Sequence, residues 1–265
     1  MNDARPRNDA EPRLLGPDEP SPVEVVRPGA RSPWLLTCDH AGRLLPGALG
    51  DLGLPESELV RHIAWDIGIA AVSTRLSAIL DAAMVGQRYS RLVIDCNRPP
   101  SAPTSIPRVS ESTTIPGNLN LSDDDRDARV AEVFRPYHDQ IEAVLNARSD
   151  RGAPTILVAM HSFTPVYKGE ARRWHVGTLY GRDGRLARAL FQLLSAEGEL
   201  TVGDNEPYSV SDETDYGIPV HAERRGLLHV GIEIRQDLIG DEDGQAEWAE
   251  RLGRLLPQAA EIANR

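Results

Sequence analysis

The chain has 265 residues, with 29 Lys and Arg against 40 Asp and Glu, which gives a formal net charge of −11. This length is sufficient for one large α/β domain or two small ones. An acidic chain without dense basic runs argues against nucleic acid and anionic membranes as partners. No apolar stretch is long enough to span a bilayer.

The N-terminal segment is rich in proline and charge and lacks the apolar core of a signal peptide. We therefore expect residues 1–22 to form a disordered tail, residues 23–265 to form a single α/β/α domain, and the protein to be cytoplasmic. Cys38 and Cys96 both lie in or beside apolar runs. They are interpreted as buried reduced thiols rather than a disulfide.

The first elements are a strand, a helix and a second strand. Trp34–Cys38 is an apolar run that predicts a buried strand, and Asp39 and His40 follow it directly. Apolar residues recur at helical spacing from Leu59 onward, which predicts a helix over residues 56–81. A short strand is expected over residues 83–85.

A polar cluster surrounds the next apolar run. Residues 92–95 predict a buried strand that Pro99 and Pro100 stop, with Arg91 before it and Asn97 and Arg98 after it. Guanidinium and amide groups are costly at the end of a buried strand unless they bind a carboxylate or are themselves paired. This stretch therefore suggests an acid-binding pocket.

A long loop follows, with five prolines within residues 99–121, and loops of this length in compact domains are often functional lids. Ser122 and the three aspartates after it are typical of a helix N-terminus. The helix is predicted to run to about residue 147, with an interruption or a kink at Pro136.

The second half alternates strands and helices. The run Thr155–Met160 predicts a central strand that ends in His161, and the run Leu228–Ile234 predicts a strand that carries Glu233. A strand over 176–180, a helix over 186–196, a polar loop over 204–218 and a helix over 243–263 complete the pattern. The alternation predicts a three-layer α/β/α sandwich with a mostly parallel mixed sheet.

Binding sites in such sheets lie outside the carboxyl ends of the strands, where His40 and His161 are expected to meet. Two imidazoles and a carboxylate are the usual protein ligands of a catalytic Zn²⁺ ion. Asp66 is the preferred third ligand, with His62 and Asp39 as open alternatives. Glu233 is the candidate general base and acid, although it could instead pair with an arginine.

Three further roles are predicted for polar residues near the same sheet edge. Arg91 is a candidate for stabilising the oxyanion of the reaction. Asn97 and Arg98 are candidates for binding a substrate carboxylate, the arginine through its two-pronged guanidinium. His221 is predicted to contact the substrate.

Six segments together resemble the N-formylglutamate amidohydrolase family, in the order in which that family has them. They are CDHAGRLLP at 38–46, HIAWDIG at 62–68, YSRLVIDCNR at 89–98, RPYHDQI at 135–141, MHS at 160–162 and EIRQDLI at 233–239.

The resemblance implies a fold like that of zinc carboxypeptidases and aspartoacylases, one zinc ion per chain, and hydrolysis of a small N-acyl amino acid such as N-formylglutamate. It also implies the roles given above for Arg91, Asn97, Arg98 and Glu233. Carboxypeptidases take two ligands from a His-x-x-Glu motif, whereas residue 43 is Arg here, which leaves the third ligand open.

Two other functions remain as alternatives. The same residues could serve a metallo-carboxypeptidase or another small-peptide amidase. A metal-free binding module that retains the carboxylate clamp is the alternative from a different class. A Rossmann-type nucleotide binder is disfavoured because no glycine-rich loop follows the first strand.

Overall fold

The computed structural model of the protein describes residues 14–265. The strands are β1 (Val23–Val26), β2 (Trp34–Cys38), β3 (Ala83–Gln87), β4 (Val109–Ser110), β5 (Thr113–Thr114), β6 (Ile156–Phe163), β7 (Val166–Tyr167), β8 (Glu170–Ala171), β9 (Val176–Leu179), β10 (Val202–Asp204) and β11 (Leu228–Arg235). The α-helices are α1 (Glu56–Leu59), α2 (Ile69–Ile79), α3 (Asp123–Arg129), α4 (Arg135–Ser149), α5 (Arg185–Ala196) and α6 (Glu242–Ala263).

Seven strands form the central sheet, in the order β1-β3-β2-β6-β11-β9-β10. Four of the six neighbouring pairs are parallel, and the β1–β3 and β11–β9 pairs are antiparallel. The strands β2, β6 and β11 lie side by side and run in the same direction, so their carboxyl ends meet at one edge. The predicted mixed, mostly parallel sheet is confirmed.

Helices cover both faces of the sheet. Helices α2 and α5 pack against α6 on one face, where Leu36, Val158 and Ile232 point, and α4 covers the other face, where Leu35 and Leu157 point. Successive strand residues face opposite sides, so the continuous apolar runs of β2, β6 and β11 are explained by burial on both faces. The predicted three-layer α/β/α arrangement is confirmed.

The expected strand over residues 92–95 is wrong. Leu92, Val93 and Ile94 are fully buried, but their backbone forms consecutive turns, in which the Val93 amide donates to the Ser90 carbonyl. The strand that occupies this place in the sheet is β3, which ends at Gln87. An apolar run of this length indicates that the residues are buried, but it does not by itself distinguish a strand from a buried loop.

The expected helix over residues 56–81 is divided into α1 and α2 by the turns of residues 60–68. Gly68, at the start of α2, has φ +80°, a left-handed conformation that favours glycine. A β-carbon there would lie 2.2 Å from the Ile239 carbonyl oxygen, so only glycine fits this approach. The apolar spacing of the sequence continues across the break, which is why periodicity alone predicts one helix.

Two other predicted elements differ in detail. Strand β6 does not end at Met160 but continues through His161 to Phe163. The predicted kinked helix is α3 and α4 joined by the π-helical segment Val130–Phe134. The wider turn immediately precedes Pro136, whose nitrogen has no hydrogen to donate to the carbonyl four residues earlier.

Part of the predicted N-terminal tail packs onto the domain. Leu14 is buried, and its amide and that of Leu15 donate to the Glu132 carboxylate at 2.8 and 2.9 Å. The first 13 residues lie outside the described residues, where the prediction of a tail stays a prediction. Cys38 and Cys96 are buried and unpaired, as predicted. No helix within residues 14–265 is long and apolar enough to cross a membrane.

The buried Arg129 holds the proline-rich loop in place. Its Nη1 donates to the Val93 carbonyl at 2.9 Å and to Asn118 Oδ1 at 2.7 Å. We expect Arg129→Met to reduce the free energy of unfolding by about 3 kcal/mol, because two buried acceptors lose their donor. Chemical denaturation measures this loss. Arg126→Met, on the same helix, is the control, and an equal loss in both variants would contradict the assigned role.

Candidate active site

A cavity of about 620 Å³ opens at the carboxyl ends of the central strands. Ala159 of β6, Leu179 of β9 and Gly231 of β11 line its floor. The proline-rich loop forms one wall through residues 104–111, and the loop of residues 207–218 forms another. The parallel part of the sheet therefore brings a polar site to the edge that the sequence predicted.

His40, Asp66 and His161 form a buried cluster in this cavity. Asp66 Oδ2 lies 3.3 Å from His40 Nδ1 and 3.0 Å from His161 Nδ1. One nitrogen or oxygen atom from each residue lies within 4.8 Å of those of the other two, so this cluster could hold a metal ion. Of the three residues considered for the third ligand, only Asp66 belongs to the cluster.

Each imidazole has a second carboxylate on its other nitrogen. His40 Nε2 lies 2.7 Å from Asp95 Oδ1, and His161 Nε2 lies 3.5 Å from Asp39 Oδ2. The Tyr137 hydroxyl donates to Asp39 Oδ1 at 2.5 Å and fixes that carboxylate. A histidine that donates one N–H to a carboxylate keeps the lone pair of the other nitrogen for a metal, which is the usual arrangement around zinc.

Long-range backbone contacts position Asp66. Its amide donates to the His40 carbonyl at 3.0 Å, and its Oδ2 accepts from the Ser162 amide at 3.3 Å. These bonds tie the turns between α1 and α2 to the ends of β2 and β6. The interruption of the predicted helix is thus what brings this carboxylate to the two histidines.

The site carries an excess of negative charge. Four carboxylates, from Asp39, Asp66, Asp95 and Glu233, surround the two histidines, and the Arg91 guanidinium is shared between Asp95 (2.5 Å) and Asp66 (3.4 Å). Burial alone would raise the pKa of Asp66, but the charges and hydrogen bonds of His40 and His161 outweigh it and hold the pKa well below its ordinary value. A donor set of this composition and charge fits a divalent cation.

Glu233 lies beside this cluster. It is paired with His161 in the register of β11 and β6, so both side chains leave the sheet on the cavity side. Its Oε2 is buried without a hydrogen-bond partner in residues 14–265. Burial raises the pKa of Glu233 to about 7, against the opposing charge of His161. A carboxyl group in this state can both accept and donate a proton near neutral pH.

Arg91, Asn97 and Arg98 all line the cavity, although they lie on turns and not at a strand end. The Asn97 amide is largely used within the protein: Oδ1 accepts from the amides of Tyr216 and Gly217, each at 3.1 Å, and Nδ2 donates to Asp215 at 3.2 Å. Within residues 14–265 the Arg98 guanidinium has no hydrogen-bond or ion-pair partner.

The structure does not bring His221 to the cavity. It is buried in the π-helical segment Ile218–Ala222, and its Nε2 lies 2.8 Å from Nδ1 of His138, whose own Nε2 donates to the Cys96 carbonyl. Burial lowers the pKa of His138 to about 4 and that of His221 to about 3, so both are neutral at pH 7. The predicted contact with substrate has no geometric support.

Sequence reasoning also missed several residues of the site. Asp39 was predicted only as an alternative third ligand and Asp95 was given no role, and nothing in the spacing indicated that their carboxylates would lie at the far nitrogens of the two histidines. Tyr137 is adjacent to His138 in the motif RPYHDQI, and its partner Asp39 lies 98 positions away in the sequence. Tyr208 lines the cavity from a loop that gave no functional signal.

Comparisons with known proteins agree on one family. A family model described as N-formylglutamate amidohydrolase matches residues 32–240. A curated N-formylglutamate deformylase from Pseudomonas putida is 26% identical over 165 residues, which cover 57% of this chain and 61% of that protein.

Two solved structures are similar over nearly the whole chain. The gene product Atu2144 from Agrobacterium tumefaciens is 41% identical with a TM-score of 0.91, over 96% of this chain and 100% of that chain. An N-formylglutamate amidohydrolase from Ralstonia eutropha JMP134 shares the fold, with 21% identity and a TM-score of 0.63, over 92% of this chain and 99% of that chain. Because the family model covers more than half of the sequence, this chain belongs to the N-formylglutamate amidohydrolase family.

Proposed function

We propose that this protein is a zinc-dependent amidohydrolase that releases formate from an N-formyl amino acid, with N-formylglutamate as the substrate that the family suggests. The observation that carries the proposal is the buried His40–Asp66–His161 cluster with Glu233 beside it, at the floor of a cavity large enough for a small substrate. Membership of the family supports the reaction type.

The zinc ion would be held by His40, Asp66 and His161. Two histidines and a carboxylate are a common ligand set of catalytic zinc, and the outer carboxylates of Asp39 and Asp95 support the histidines in the usual way. A zinc ion held there supplies Lewis acidity, which acidifies water and polarises a carbonyl group.

Glu233 would transfer a proton from the attacking water to the leaving amide nitrogen. Its free, buried Oε2 accepts a proton from the attacking water as the water oxygen bonds to the formyl carbon. The same carboxyl group then gives this proton to the amide nitrogen as the C–N bond breaks. The products are formate and a free amino acid, so the atoms and charges balance.

Arg91 and Arg98 would act on the substrate from the cavity wall. Arg91 is fixed by Asp95 and Asp66, and its positive charge would stabilise the negative charge that develops on the carbonyl oxygen. Arg98 would bind the α-carboxylate through its free guanidinium. Asn97 holds the loop at residues 215–217 through its side-chain amide. The second N–H of that amide would be available to the substrate.

We expect Arg98→Ala to raise KM about 30-fold for N-formyl amino acids with a free α-carboxylate, because a hydrogen-bonded ion pair is lost. Steady-state kinetics on the acid and on its α-amide measure the effect, and the α-amide should be affected little. An equal rise in KM for both substrates would contradict the role of Arg98.

A panel of substrates tests the proposed function. Zinc-loaded protein is assayed for amine release from N-formyl and N-acetyl amino acids and from dipeptides. We expect turnover of N-formyl amino acids, with N-formylglutamate among them. Turnover of dipeptides alone would instead support a peptidase, and the absence of both metal binding and turnover would support a metal-free binding module.

A further inference from the structure

A second group of polar and aromatic side chains adjoins the cavity through Tyr167 and Tyr208. We call Phe163, Tyr167, Arg172 and Tyr208 the aromatic–arginine cluster. The Arg172 guanidinium carbon lies 5.7, 4.6 and 4.8 Å from the ring centres of Phe163, Tyr167 and Tyr208, respectively. Tyr167 and Tyr208 both line the cavity. Three rings therefore fix one cation at the cavity rim.

Arg172 has no carboxylate partner within residues 14–265, whereas Arg61 and Arg91 are each paired with acidic side chains. Its one side-chain hydrogen bond in that range runs from Nη1 to the Tyr208 hydroxyl, at 2.6 Å. The N–H groups on Nε and Nη2 have no acceptor in that range. They form one edge of the guanidinium, and such an edge can bind both oxygens of a carboxylate. Aromatic faces attract a cation but do not satisfy its N–H groups.

Glu111, an acidic side chain of the cavity wall, already has partners. Glu111 pairs with Arg61, and its other oxygen accepts the Lys168 amide at 3.1 Å. The charge of Arg172 therefore remains available to a ligand. Tyr208, which accepts the hydrogen bond of Arg172, links this charge to the cavity that it lines together with Glu233.

At the cavity, the guanidiniums of Arg98, which lines it, and of Arg172, beside Tyr208, thus have no carboxylate partner among residues 14–265. Arg98 is assigned above to the α-carboxylate. An acidic amino acid brings a second carboxylate, which an unpaired guanidinium would match, whereas a neutral side chain would leave the charge of Arg172 without a partner.

We propose that Arg172 and the Tyr208 hydroxyl bind the side-chain carboxylate of the substrate and make this cavity selective for N-acylated acidic amino acids. The proposal rests on the proposed amidohydrolase function. The guanidinium donates from Nε and Nη2, and the Tyr208 hydroxyl accepts from Nη1 and donates its own proton to the carboxylate.

Kinetics on matched substrates test the selectivity. N-formyl-L-glutamine has the shape of N-formyl-L-glutamate without the side-chain charge. We expect the wild type to prefer the glutamate by about 100-fold in kcat/KM, and Arg172→Gln to lose about that factor for glutamate while changing less than about 3-fold for glutamine. Arg173→Gln, next to it and stacked on Trp174, is the control and should retain the preference.

Tyr208→Phe is a second variant that keeps the stacking and removes only the hydroxyl. It should lose about 10-fold in kcat/KM for glutamate and little for glutamine. A wild type that treats the two substrates alike, or an Arg172→Gln variant that loses equally on both, would overturn the proposal.

A binding measurement separates this proposal from the proposed function. Calorimetry on zinc-loaded protein compares glutarate, which has two carboxylates, with butyrate, which has one. We expect wild type to bind glutarate about 100-fold more tightly than Arg172→Gln does, with no difference for butyrate. If no N-formyl amino acid is turned over but glutarate binding still depends on Arg172, the proposed reaction fails and the carboxylate subsite stands. Equal glutarate binding by both proteins would contradict the subsite whatever the activity.

Discussion

Glu233→Gln is expected to lower kcat about 1,000-fold while one metal ion per chain is retained. The amide has the shape of the carboxylate but cannot accept the proton of the attacking water. Because the native Oε2 has no hydrogen-bond partner in the described part of the chain, the change removes no internal bond at that oxygen. Formate release and metal analysis on the same preparation measure both quantities.

Glu132→Gln is the matched control. It makes the same chemical change on a half-buried glutamate that binds the amides of Leu14 and Leu15, outside the cavity. It should leave kcat within about twofold of wild type, as is usual for a change far from the site. Unchanged turnover in Glu233→Gln would remove Glu233 from the mechanism.

Asp66→Asn is expected to weaken zinc binding by more than about 100-fold and to lower turnover at limiting zinc in parallel. The neutral amide oxygen is a much poorer zinc ligand than the carboxylate between the two histidines. Asp39→Asn should weaken binding only about 10- to 100-fold, because Asp39 acts through His161. Competition with a zinc chelator measures the zinc affinities of the wild type, Asp66→Asn and Asp39→Asn.

His62→Gln completes this comparison, since His62 was an alternative third ligand and lies outside the cluster, 3.6 Å from Glu111. It should bind zinc as wild type does. Thermal unfolding of each variant verifies that the fold is retained. Normal zinc binding by Asp66→Asn, with a loss in His62→Gln or a larger loss in Asp39→Asn, would transfer the third ligand to that residue.

The layers of the fold are predictable from the sequence because they depend on local patterns. The continuous apolar runs of β2, β6 and β11 are long enough, and sufficiently rich in branched residues, to identify strands buried on both faces. These three strands carry or precede His40, His161 and Glu233, so the strand prediction alone brought them to one edge.

The remaining parts depend on contacts between distant residues. Leu92–Ile94 is as apolar as a strand but forms turns, because the neighbouring place in the sheet is taken by β3. Asp66 reaches the histidines from the turns that interrupt the predicted helix, and these turns end at Gly68, whose backbone approaches the Ile239 carbonyl. Neither partner can be read from the spacing of the residues around them.

The aromatic–arginine cluster illustrates the same limit at the site. Phe163 ends β6, Tyr167 ends β7, and Arg172 directly follows β8. Tyr208 lies in an irregular loop. Arginines stacked on aromatic rings follow no fixed sequence spacing, so no motif indicates them. By contrast, Arg98 was predicted because it lies in the polar cluster that closes the apolar run Leu92–Ile94.

Metal titration tests whether the reaction depends on zinc bound at this site. Protein freed of metal with a chelator is titrated with Zn²⁺ while formate release from N-formylglutamate is followed. We expect the metal-free protein to be inactive and the rate to rise linearly until one zinc ion per chain is bound, then to stay constant. Full turnover by the metal-free protein, or a rate that does not respond to bound zinc, would contradict a zinc-dependent reaction.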